Sequence, residues 1–103
     1  MDEQLRKMNQ IRDLKVKEMG RRQFVEEAVS WAESQVNEEN WQQHEWMLDQ
    51  WDLLQRRDEI AGTGEDKNPE MEESLNEVQR NYEAHCVHQY LLHLLNEVEK
   101  AEK

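Results

Sequence analysis

His85, Cys86, His88 and His93 stand within nine residues of one another, and His44 is the fourth histidine of the chain. His85 and His88 are three apart, a spacing that on a helix puts two imidazoles on neighbouring turns, where one metal ion reaches both. A tetrahedral site needs two further ligands from a facing element, and His44 is the natural donor. The sequence offers no second Cys-x-x-Cys or His-x-x-x-His pair to complete it. Glu83-Ala84-His85 also misses the Glu-x-x-His spacing of di-iron carboxylate bundles. No metal and no cofactor is therefore assigned, and the histidines are read as boundary or surface residues. Cys86 shares a helical stripe with Leu75, Val78 and Tyr82, which makes it a small buried apolar residue and not a nucleophile.

The second concentration of chemistry is aromatic. Trp31, Trp41, Trp46 and Trp51 are four tryptophans in a stretch of 21 residues. The last three are five apart, so they fan around a helix. One face of such a helix carries Trp41, His44, Met47, Leu48, Trp51 and Leu54. Nearly opposite lies a stripe of Trp46, Leu53 and Ile60 with heptad spacing, the pattern by which helices recognise one another. The first face, with Trp51, is expected to fill a core. Trp46, Leu53 and Ile60 are the candidate interaction surface, covered either by another part of the chain or by a partner.

The elements that must position these residues are helices. Gly62, Gly64 and Pro69 fall within eight residues and mark a loop over 62–69. Asn68 reads as a helix N-cap, Pro69 as the first helical residue, and Glu70, Glu72 and Glu73 as acids at the positive end of the dipole. No breaker follows, which predicts one helix over 70–102. Its apolar side changes midway: Met71, Leu75, Val78, Tyr82 and Cys86 form one stripe, and Val87, Tyr90, Leu91, Leu94, Leu95 and Val98 another, roughly 140° around at about 100° per residue.

Upstream, Asn37–Asn40 predicts a turn, with Asn40 and Gln43 as a capping box; one continuous helix over 22–61 is the alternative. Met1, Leu5, Met8, Val16 and Met19 form one stripe. Phe24, Val25, Ala28, Val29, Ala32 and Val36 form another, about 150° away, more than the slow drift of a straight helix allows. Gly20 is where the phase jumps. The first helix either splits there or continues with two faces. The expectation is an all-α single domain over 1–103, an antiparallel bundle of three long helices at about 2–36, 41–61 and 70–102, four if Gly20 splits the first, with coiled-coil-like packing. The long outer helices would overhang the middle one, and a second copy is the economical cover for their ends.

Composition narrows the function. The 103 residues include only three glycines and one proline, too few for the turns of an all-β fold. A single cysteine excludes a disulfide scaffold. The longest apolar run, Tyr90-Leu91-Leu92, is far short of the ~18 residues of a membrane span. The net charge is −11. Residues 1–22 hold seven basic and four acidic side chains, whereas the other 81 hold six basic and twenty acidic. So acidic a body repels phosphate backbones, and neither nucleic acid nor membrane is an expected partner. The start, Met1-Asp2-Glu3-Gln4, is charged with no apolar run after it, so no signal peptide is expected, and with a single cysteine the expected setting is reducing and cytoplasmic.

Leu5-Arg6 and Asp13 resemble the opening of the all-helical chorismate mutases, which have about this length and three helices. Such enzymes hold a dianionic substrate with several buried arginines and a lysine, and residues 23–55 contain neither residue type, so no role is carried over. Spectrin-type repeats share the length but centre their third helix on a tryptophan, absent from 70–102. No phosphate loop or serine elbow is present. The expected function is a non-enzymatic structural or interaction bundle, a homo-oligomer (dimer) or the binder of a helical protein. A designed bundle without a biological role is the alternative, although its Gln, Asn, His and Trp content departs from idealised helices. A small-ligand or metal-binding bundle is the third reading.

Overall fold

The computed structural model describes residues 2–102. It is 88 % helical, with no strand among the described residues. Helix α1 spans Asp2–Met19, α2 Arg21–Ser34, α3 Glu45–Gln55, α4 Arg57–Ala61 and α5 Pro69–Glu102, with 3₁₀ turns at Trp41–His44 and Gly64–Asp66. Among the described residues no helix is long and apolar enough to cross a membrane. The chain divides into two compact units, one of Met1–Gln35 with His85–Lys103 and the other of Val36–Ala84.

In the first unit the phase jump at Gly20 is a corner. Gly20 has φ 88° and ψ 153°, a region that in practice only glycine occupies. Its N–H donates to the Val16 carbonyl at 2.8 Å and its carbonyl accepts from the Phe24 N–H at 3.0 Å, so one helix closes as the next begins. Met8, Val16 and Met19 of the first stripe then meet one core with Phe24 and Ala28 of the second, whereas Leu5 is 58 % exposed and Met1 lies outside the described residues. Met8 of α1, Phe24 and Ala28 of α2, and Tyr90, Leu91 and Leu95 of α5 are buried together, with Val16, Met19, Trp31, Val87 and Leu94 packed around them. The chain leaves α2 after Ser34, two residues short of the expected 36.

The second unit departs further from the sequence reading. The turn at Asn37–Asn40 is present, but not as a capping box. The Asn37 side-chain oxygen accepts from the N–H groups of Glu39 (2.8 Å) and Asn40 (3.0 Å), and that of Asn40 accepts from the Asn37 N–H at 2.8 Å. Two short polar side chains thus bond the backbone locally and end the helical run. The expected single helix over 41–61 is three pieces. Trp41–His44 is a 3₁₀ turn, and Arg56 (φ −100°, ψ 19°) separates α3 from α4. No glycine or proline stands at Arg56. Its N–H is shared between the Asp52 and Leu53 carbonyls, both at 3.2 Å, a bifurcation common at helix ends.

The loop and start of α5 follow the sequence closely. Gly62 has φ 80°, and a Cβ there would lie 2.6 Å from the Asp66 carbonyl oxygen, so only glycine fits. The Asn68 side-chain oxygen accepts from the N–H groups of Glu70 (3.1 Å) and Met71 (3.3 Å), capping α5. Leu75, Tyr82 and Cys86 are buried on the first stripe of α5, and Tyr90, Leu91 and Leu95 on the second. The change of side comes where α5 passes from one unit to the other.

Candidate interaction surface

The second unit keeps few large side chains fully inside: Met47, Leu75 and Tyr82, with Ala61. Three of its four largest apolar groups face out instead. Trp41 and Trp46 are each 45 % exposed and Trp51 is 42 % exposed. The placement of Trp41 and Trp51 in a core is thereby corrected. Trp41 lies in a 3₁₀ turn, which advances about 120° per residue where the helical projection assumed ~100°. Trp51 lies about 40–60° around α3 from the Met47 and Leu54 line, at the edge of the covered side, where a ring that large stays partly wet.

Of the three candidate surface residues, Trp46 and Leu53 share one side of α3, Trp46 exposed and Leu53 half-buried. Ile60, half-buried, belongs to α4 beyond the break at Arg56, so the straight heptad stripe does not extend to it. Acids border Trp46 and Leu53. Glu45, Asp49 and Asp52 are exposed along one edge of α3, and residues 23–55 carry no lysine or arginine. Residues 36–84 together hold fourteen acidic and four basic side chains, which places almost all the net charge in this unit.

The basic residues collect elsewhere. Lys17, Arg21 and Arg22 are exposed around the Gly20 corner, and Leu14, one turn earlier, is 68 % exposed. Leu14 belongs to neither apolar stripe read from the sequence; its position opposite the Met8 and Val16 side of α1, amid cations, was the available signal.

A strongly perturbed titratable group, Tyr90, lies in the first unit. The Tyr90 hydroxyl donates to a Glu27 carboxylate oxygen at 2.5 Å, and Lys15 approaches the same oxygen at 3.6 Å. Burial, then the hydrogen bond to Glu27 and its negative charge, push the Tyr90 phenol up to about 12. Trp31 stacks on His93 with ring centroids 4.7 Å apart and meets Tyr90 at 5.6 Å. These groups interlock α1, α2 and α5. Cys86 is fully buried, and His88 is exposed whereas His44 and His85 are half-buried. Among the described residues, no group of three or more His, Cys, Asp or Glu side chains is arranged to hold a metal ion.

No family model matches this chain, no curated protein is similar to it, and no solved structure matches it.

Proposed function

We propose that this chain is a non-enzymatic helical interaction protein that self-associates as a dimer through the outer side of α3, with Trp46 and Leu53 at its centre and Ile60 at its rim. Within each copy, α1, α2 and the second half of α5 make an antiparallel three-helix bundle with coiled-coil-like crossings. The observation that carries the reading is the exposure of Trp41, Trp46 and Trp51 within eleven residues. Single exposed leucines are ordinary on a protein surface, but a concentration of exposed indoles is not. Tryptophan is among the residues most enriched at the energetic centres of interfaces, where its large rigid face is covered at little entropic cost. A single cysteine, Cys86, buried in the fold, suits a reducing cytoplasmic setting.

The test is Leu53→Glu, followed by far-UV circular dichroism and light scattering. A charge at the half-buried Leu53 leaves the helices formed but is unfavourable at the centre of a closed interface, so the dimer is lost while helix content stays. Trp46→Ala makes the same test without adding a charge. A dimer that survives both substitutions overturns the proposal.

A further inference from the structure

We infer that the occupant of the α3 face is the α1–α2 corner of a second copy, with Leu14 entering beside Trp46 and Leu53 while Lys17, Arg21 and Arg22 meet Glu45, Asp49 and Asp52. The inference rests on the self-association reading and adds its geometry: a two-fold dimer in which the corner of each copy meets the α3 of the other, and not α3 against α3.

Charge decides between the two arrangements. An antiparallel symmetric α3 contact brings Glu45, Asp49 and Asp52 of one copy against the same three residues of the other, and a symmetric contact in either direction joins two units of fourteen acidic and four basic side chains each. Like charges set face to face across an interface are strongly unfavourable. The complement exists in the chain itself, because seven of its thirteen basic residues fall within residues 6–22.

Both surfaces are open. Among the described residues Leu14 is the most exposed of the large apolar side chains, and Lys17, Arg21 and Arg22 are exposed beside it. Among the described residues no ion pair engages Lys17 or Arg21 on one side, or Glu45 and Asp49 on the other. Arg22 and Asp52 are held only in wide surface pairs, with Glu26 at 3.6 Å and Arg56 at 3.4 Å. Glu18 shares the Leu14 side of α1, so it is the corner, not α1 alone, that supplies the positive sign. The turn at Gly20 provides this by starting α2 with two arginines directly after the last turn of α1.

A reciprocal corner-to-α3 contact makes a distinctive prediction on mixing. The variant Lys17→Glu/Arg21→Glu makes the corner acidic, and Asp49→Lys/Asp52→Lys makes α3 basic. Each alone sets like charges at the contact, and its self-affinity falls about tenfold or more, from two exposed pairs turned repulsive. Mixed in equal amounts, the acidic corner of one variant meets the basic α3 of the other, and the unaltered corner meets the unaltered α3. The mixture therefore recovers the wild-type dimer mass by light scattering. Circular dichroism checks that each variant is folded; if Asp49→Lys/Asp52→Lys loses helix, Asp49→Asn/Asp52→Asn is paired instead with a Lys17→Gln/Arg21→Gln corner, each expected to weaken the dimer. Wild-type self-association with an unaffected corner variant, or a mixture that stays monomeric, overturns the corner-to-α3 contact and leaves self-association standing. A wild-type chain that is monomeric at every concentration overturns both.

Discussion

Replacing Gly20 with alanine separates two architectures by the sign of its effect. If residues 2–34 formed one continuous helix with two faces, alanine in its interior would stabilise the protein by about 0.5–1 kcal/mol. In the corner, residue 20 sits at φ 88° and ψ 153°, where a side chain imposes strain of about 1–3 kcal/mol. A Cβ at this position meets nothing within 4 Å, so the conformation alone sets the cost. At roughly 4–8 °C per kcal/mol for a chain of this size, the melting temperature falls by about 5–20 °C. Thermal melts followed at 222 nm read the change directly. The consequence reaches beyond the turn, because the corner is what lets Met8 of α1 and Phe24 of α2 enter one core with Tyr90. A Gly20→Ala protein that melts higher than wild type would refute this account of the first unit.

Three further outcomes follow. Phe24→Ala, at a ring only 2 % exposed and 6.2 Å from Tyr90, should cost about 3–5 kcal/mol in urea unfolding. Trp51→Ala, at an exposed indole, should cost clearly less in the monomer; equal losses would return Trp51 to a core. The Tyr90 phenol titrates near 10.0 when unfolded and at about 12 when folded, because burial and Glu27 favour its neutral form. The folded state therefore holds this proton more tightly. The stability it contributes is full below pH 10 and is lost as pH rises through 12. Phenolate absorbance at 295 nm should show a late tyrosine step that moves to lower pH in Glu27→Gln, and a step that does not move would contradict the assignment.

The sequence was most legible where a residue type has one backbone use. Asn68 and Pro69 mark the start of α5, Gly62 the end of α4, and the 150° phase jump singles out Gly20. The two stripes of α5 likewise anticipate two sets of neighbours. Legibility failed over 41–61. A 3₁₀ turn and the break at Arg56 leave no glycine or proline signature, and both spoil a projection at constant pitch. Trp41 and Trp51 defeat the projection for that reason, and because a large apolar side chain is not by that fact a buried one. Leu14 escaped notice because an isolated leucine among charges carries no periodicity.

The central claim is self-association through exposed apolar groups, and the most direct measurement is the molar mass of the unaltered chain over a hundredfold dilution. The account predicts about twice the 12.5 kDa chain mass at high concentration, falling toward one chain on dilution as Trp46 returns to water. A mass of one chain across the whole range, with the far-UV spectrum of a folded helical protein, would contradict it.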